Sequence, residues 1–356
     1  MTLAEQLAAH AVESELLEAL DGGRIRCLAC GHRCPIAPGY VGVCKVRFNR
    51  DGKLYAPRGY VNGIHCDPIE KKPFYHALPG SGALSFGMLG CDLHCGYCQN
   101  WVSSQAIRDP RATGEFREIS AASIVEMARR AGASSVVSTY NEPLITVEWA
   151  VEVFGEARQA GLVTGFVSNG NATPEVLDYL RPWLDLYKVD LKSFNDRRYR
   201  DLGGRLQPVL DSIARIHKMG FWLEVVTLVV PGFNDSKAEL GSIARFLAGI
   251  SRDIPWHVTA FHPDYKMNAP PRTPASTLFE AVRMGREAGL RYVYAGNLAG
   301  QGGENTHCPE CGLLLIERFG FQVIRNRMEG GACPQCRTVI PGFWSAHAPV
   351  GRGIEA

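Results

Sequence analysis

From Leu84 to about Asn297 the chain alternates short β-rich runs with amphipathic helical patterns, and this rhythm restricts the fold more than any other feature. The candidate strands are Leu84 to Met88, Ser134 to Thr139, Leu162 to Val167, Leu184 to Val189, Trp222 to Val230, His257 to Phe261 and Tyr292 to Tyr294. Helical patterns lie between them at Ala121 to Ala131, Thr146 to Ala160, Pro174 to Leu180, Pro208 to Met219, Lys237 to Ala248 and Thr277 to Ala288. Such alternation builds parallel strands joined by crossover helices. Six strand-helix pairs fall short of a closed eightfold barrel, so the expected fold is α/β, a partial (β/α)6 TIM-like barrel, with a doubly wound open sheet as the second reading. Either architecture presents its chemistry at the C-terminal ends of the strands. The length of 356 residues suits one large domain with appendages. The expected division is an N-terminal extension 1–80, a core 81–300, a small cysteine-bearing domain 301–345 and a tail 346–356 that reads as disordered.

Composition excludes several classes. Hydrophobic residues at 46% and charged residues at 21% argue against a disordered chain, and a net charge of +2 gives no global reason to expect nucleic acid or an anionic membrane as partner. The most apolar stretch, Phe221 to Val230, contains Glu224 and is half the roughly 20 residues a spanning helix needs. Met1 to Leu20 carries Glu5, Glu13, Glu15 and Glu18 without a basic start, so it reads as an amphipathic helix and not as a signal peptide. A cytoplasmic, reducing location follows as the expectation. There, clustered thiols serve metals or redox chemistry, and eleven of the 12 cysteines fall in three tight groups.

The central group is Gly90-Cys91-Asp92-Leu93-His94-Cys95-Gly96-Tyr97-Cys98, directly after the first core strand. Its three thiols leave one position open, whereas a structural zinc site or a fully ligated iron-sulfur cluster takes four. The competing reading is a zinc knuckle completed by Cys66; taken alone, Cys66 reads as a small buried apolar residue. The second group, Cys27, Cys30, Cys34 and Cys44, is a closed four-thiolate set for zinc or an auxiliary [4Fe-4S] cluster. The third, Cys308-x2-Cys311 and Cys333-x2-Cys336, has the spacing of a zinc ribbon, rubredoxin-like iron being the lesser alternative. The charged run Asp67-Pro-Ile-Glu-Lys-Lys-Pro-Phe-Tyr-His76 would, standing alone, read as a solvated face.

The three-cysteine run resembles the radical SAM superfamily. In that resemblance Cys91, Cys95 and Cys98 hold a [4Fe-4S] cluster whose open iron chelates S-adenosylmethionine (SAM), and reductive cleavage yields a 5′-deoxyadenosyl radical that abstracts hydrogen. It also implies SAM contacts from Tyr97, from Asn141 and Glu142 (the ammonium), from Ser168 and Asn169 (the ribose), from Asp190, from Lys192 (the carboxylate) and from His262 (the ribose). One departure is Thr227, where glycyl-radical activating enzymes carry a basic residue.

Taken together, the Cys27 to Cys44 group, the Asp67 segment, the cluster motif, Tyr140-Asn-Glu-Pro143 and the ribbon resemble the radical SAM enzyme of the Memo and AMMECR system, a relative of pyruvate formate-lyase activating enzymes. The implied partners are an external electron donor such as flavodoxin or ferredoxin, with Memo-like and AMMECR-like proteins as companions. Two alternatives stand beside this: a glycyl-radical activase, and a zinc-dependent structural or interaction protein.

Overall fold

The computed structural model describes residues 3–112, 114–298 and 300–345, so the expected tail 346–356 lies outside the described residues. The βα rhythm forms one eight-stranded sheet. Its strands are β1 (Gly63–Pro68), β2 (Gly82–Gly87), β3 (Ala133–Ser138), β4 (Val163–Ser168), β5 (Leu186–Asp190), β6 (Trp222–Val229), β7 (Trp256–Ala260) and β8 (Val293–Gly296). They lie in the sheet in the same order as in the chain. From β2 to β8 every pairing is parallel. A doubly wound sheet reverses its strand order at a switch point, and this one never does, so that alternative falls away.

The sequence reading missed β1, which pairs antiparallel with β2 at the sheet edge, Gly63 opposite Gly87. The strand Gly63-Ile-His-Cys-Asp-Pro68 is mostly polar and half exposed, so no apolar run announced it. Cys66 sits on this edge strand opposite Leu84 and is exposed, which corrects its expected burial. The N-terminal expectation also changes. A helix spans only Leu3–Ala9, followed by strands Ala11–Ser14 and Leu17–Ala19, because Ala11 to Ser14 pairs with Lys53–Pro57. That tertiary pairing overrides local helical pattern.

Helices cover one face of the sheet, with starts the sequence encodes. Ser120 accepts from Ser123 N before Ala121–Arg130, which buries Ala121, Ile124, Val125 and Ala128 at helical spacing. Thr173 accepts from Val176 N, with Pro174 opening Pro174–Leu180. Ser236 and Glu239 have capping-box spacing, yet the Glu239 carboxylate turns instead to Ser193 Oγ and Phe194 N. No helix among the described residues is long and apolar enough to cross a membrane.

The opposite face is filled at one end by the Asp67 segment. Ile69, Phe74, Ala77 and Leu78 pack against Ala83, Val163 and Leu186, which stand at the N-terminal ends of β2, β4 and β5. Glu70, Lys72 and His76 are buried, so the charged run is no solvated face. Its backbone is held by the Glu224 carboxylate, which accepts from Tyr75 N at 3.0 Å and His76 N at 2.9 Å. After β8 a three-stranded antiparallel sheet, Thr306–His307, Leu314–Phe319 and Gln322–Asn326, packs on Tyr75, Tyr292 and Tyr294. The buried Arg318 guanidinium ties it to the floor segment, donating to Tyr75 O at 2.7 Å.

Candidate active site

With the N-terminal strand ends plugged, a cavity of about 430 Å³ remains at the C-terminal ends. Alternation along each strand decides what faces it: Lys188 and Asp190 on β5, Val226 and Leu228 on β6, and His257 and Thr259 on β7. Thr227 points the other way, its hydroxyl accepting from Trp256 Nε1 at 3.0 Å, so the departure at this position puts no residue in the cavity.

The cysteine motif forms a loop over this opening. Gly90 sits at φ +97°, and a side chain there would meet Val46 at 2.9 Å and the Cys44 carbonyl at 3.2 Å, so glycine is required where the loop leaves β2. Cys91, Cys95, Tyr97 and Cys98 all line the cavity. Leu93 N donates to Cys91 Sγ at 3.4 Å, and Ser104 Oγ lies 3.2 Å from Cys98 Sγ. Burial pushes all three thiols up, Cys95 to about 12, so any metal they bind must displace protons. Among the described residues no other cysteine lines the cavity, and Cys66 is on the exposed edge.

Across from the thiols stands a set of opposed charges. Glu142, at the end of β3, accepts from Ser168 Oγ at 2.7 Å, Asn169 N at 2.7 Å and Leu144 N at 3.1 Å. Burial and then the neighbouring Asp92 push its carboxyl up to about 8. Burial also works against Asp190, but Lys188 and Lys192 more than offset it and hold the carboxyl at about 2. Lys192 Nζ lies 3.3 Å from Asp190 Oδ2, and despite burial Asp190 and the Cys95 thiol keep it above the ordinary lysine range.

Of the expected SAM contacts, Tyr97, Asn141, Glu142, Asn169, Asp190 and Lys192 line the cavity. Ser168 does not; its hydroxyl supports Glu142 from behind. His262 also lies off the wall. It is exposed and 2.9 Å from Gln99 Nε2, and Gln99 does line the cavity.

The sequence reading missed the floor. Glu224, fully buried, accepts from Trp222 Nε1 at 3.0 Å as well as from Tyr75 and His76, and lies 2.7 Å from His257 Nε2. Burial opposes its charge, yet His257 holds the carboxyl below the ordinary range. Lys72 bridges Asp67 at 2.9 Å and the Tyr140 hydroxyl at 3.2 Å. Tyr140 and Asn297 both line the cavity at positive φ, 71° and 59°, conformations that carry strain in non-glycine residues. One signal was available: Glu224 was a single acid in an otherwise apolar strand.

Away from the cavity, the four ribbon thiols converge. Cys308 and Cys336 Sγ are 3.5 Å apart, Cys311 and Cys333 Sγ 3.6 Å, and all four lie within 4.8 Å of one another. The Thr338 hydroxyl and N–H hold the Cys336 thiol down to about 6, whereas at Cys311 the Leu313 N–H is outweighed by burial and the three neighbouring thiols, which push that thiol up to about 12.

Comparison with known proteins agrees with this geometry. The family model described as "Radical SAM superfamily" matches residues 87–247, the stretch from the end of β2 into the helix after β6. An uncharacterized protein of Methanocaldococcus jannaschii is 38% identical over 328 residues, 91% of this chain and 97% of that one. The pyruvate formate-lyase-activating enzyme of Staphylococcus aureus is 24% identical over 183 residues, 49% of this chain and 72% of that one. Among solved structures, a radical SAM methyltransferase from Sphaerobacter thermophilus aligns with a TM-score of 0.49 at 15% identity, covering 84% of each chain. With its cysteine loop at the C-terminal ends of a parallel sheet and the family model matching across it, the chain is an enzyme of the radical SAM superfamily.

Proposed function

We propose that the enzyme reductively cleaves SAM at a [4Fe-4S] cluster held by Cys91, Cys95 and Cys98 and turns the resulting radical on a substrate in the same cavity. Superfamily membership implies the cluster and SAM. The observation that carries the reading is the placement of three thiols, without a fourth, on one wall of a cavity that also holds Glu142, Asp190 and Lys192. Three thiolates leave one ligand position for the amino and carboxylate groups of SAM. When bound, the cluster supplies one electron to the sulfonium carbon-sulfur bond, giving methionine and a 5′-deoxyadenosyl radical.

The chain's own residues bind and orient. Glu142 takes the ammonium once ionised, with Ser168 and the Asn169 N–H fixing its carboxylate. Lys192, poised by Asp190, takes the SAM carboxylate. Asn169 and, from the rim, His262 are assigned to the ribose, and Asn141 and Tyr97 complete the wall. The buried floor of Tyr75, His257 and Lys72 excludes water from beneath.

The ribbon thiols are assigned one zinc ion. A tetrahedral ion bound at about 2.3 Å sets its sulfurs roughly 3.8 Å apart, close to the 3.5 and 3.6 Å seen here. We further read the seven parallel strands as a partial barrel, with the extension 1–80 contributing β1 to the core 81–300 and the ribbon 301–345 closing one side. The reading includes a cytoplasmic enzyme served by a low-potential donor such as flavodoxin or ferredoxin. Its companions would be Memo-like and AMMECR-like proteins, on the motif resemblance alone. A glycyl-radical activase is the second reading, favoured by the match to the S. aureus activating enzyme over half the chain.

The test is anaerobic reconstitution with iron and sulfide, then dithionite and SAM. Formation of 5′-deoxyadenosine is expected; a fully loaded protein that forms none defeats the proposal.

A further inference from the structure

We propose that Cys27, Cys30, Cys34 and Cys44 hold a second, fully ligated [4Fe-4S] cluster and not a zinc ion. The structure separates the two kinds of thiol set. A single tetrahedral zinc draws its sulfurs to about 3.8 Å of one another. The ribbon thiols stand at that spacing, and among the described residues they are the set found within 4.8 Å. Among the described residues neither Cys27, Cys30, Cys34 and Cys44 nor Cys91, Cys95 and Cys98 form such a set. Four irons, each with its own thiolate, hold sulfurs farther apart than one shared ion does.

The four cysteines nevertheless belong to one knob. Cys27 N donates to Cys34 O at 3.0 Å, and a methyl group on Gly42 would stand 3.6 Å from Cys34 Sγ, so the loop bearing Cys44 folds back over the first three. Cys27 and Cys44 both lie near enough to Cys30 for their charges to act on it. Backbone N–H groups of Val46 and Arg47 reach the Cys44 sulfur, donors of the kind that support cluster thiolates.

The position of the knob is the second observation. His32 Nε2 lies 3.1 Å from the Asp92 carbonyl, Gly31 N donates to Asn171 O at 2.8 Å, and Asn171 Nδ2 donates to Asp92 Oδ2 at 2.8 Å. Asp92 directly follows Cys91, so the knob abuts the cysteine loop. The Cys44 carbonyl closes on Gly90 from the same side. A fully ligated cluster has no iron free for a substrate. Its chemistry is to accept one electron from a low-potential donor protein and release one, with no bond made or broken.

The test is the full-length triple variant Cys91→Ala, Cys95→Ala, Cys98→Ala, reconstituted anaerobically. About four irons and four sulfides per chain are expected, as one [4Fe-4S] cluster requires, with a reduced-cluster electron paramagnetic resonance signal that SAM leaves unchanged. Zinc in place of that iron overturns the proposal. Should the variant not fold, the wild-type protein decides. About eight irons with one zinc supports a second cluster, and about four irons with two zincs overturns it while leaving SAM cleavage intact. A variant that keeps its four irons beside a wild type that cleaves no SAM supports this inference and defeats the cleavage reading, so the two fail separately.

Discussion

The ribbon and the cysteine loop each cluster their thiols, and they differ in what surrounds the sulfurs. Ribbon thiols face one another at 3.5 and 3.6 Å across a hairpin, with the Thr338 hydroxyl beside Cys336. Loop thiols face a cavity and share it with Glu142, Asp190 and Lys192. A closed ligand set stabilises a fold, whereas an open set beside fixed charges can do chemistry. The separation is incomplete, because Phe321 at the ribbon's hairpin turn also lines the cavity, and Arg318 fastens the ribbon to the floor.

The largest effect expected from this contrast is at Cys95. Cys95→Ala should lose the loop cluster and all SAM cleavage while the ribbon metal stays, measured by iron, sulfide and zinc content and by 5′-deoxyadenosine. Retention of a full cluster with cleavage would remove the distinction. Cys333→Ala should do the reverse: one zinc is lost, the segment after Gly303 becomes protease-sensitive, and cleavage stays within about tenfold, since no ribbon ligand touches the cavity. Complete loss of cleavage in a protein that remains folded would instead make the ribbon part of the site through Phe321.

Lys192→Ala tests the charged wall. Removing one charge-assisted contact costs about 1.5–3 kcal/mol, so SAM affinity should fall roughly tenfold to a hundredfold, by isothermal titration against the reconstituted protein. Unchanged affinity would mean that the carboxylate is held elsewhere.

The smallest effect concerns the floor. His76 is fully buried, with Nδ1 2.8 Å from Pro341 O and Nε2 2.5 Å from the Tyr294 hydroxyl, and burial lowers its pKa from 6.5 to about 4. The unfolded chain therefore takes up the proton first, and stability is complete above the ordinary value and lost as pH falls from 6.5 toward 4. His76 should account for about 2 kcal/mol of the loss between pH 7 and pH 5, read by urea denaturation. If His76→Gln shows the same pH slope, the titration belongs to another group.

Much of this was legible in the residues. The strand Trp222–Val229 is mostly buried apolar residues, and that can be read without a structure. The thiol motif was legible because its three cysteines lie within eight positions. The edge strand Gly63–Pro68 was not, since its polar residues half face solvent and its strand character comes from pairing with β2. The Glu224–His257 contact was equally hidden, because 33 residues separate two side chains that adjacent strands bring to 2.7 Å.

The order and number of thiols in each group are properties of the chain, and they alone set apart two groups of four and one group of three. Only the tertiary structure decided how close each set comes together and what it faces. Spacing along the backbone limits reach, but the distance between sulfurs and the charges beside them follow from how loops pack. The Asp67 to His76 run shows the same division. Its charges are written in the sequence, and its burial arises because Phe74 fills the sheet while Glu224, from a strand far along the chain, satisfies the backbone on which those charges ride.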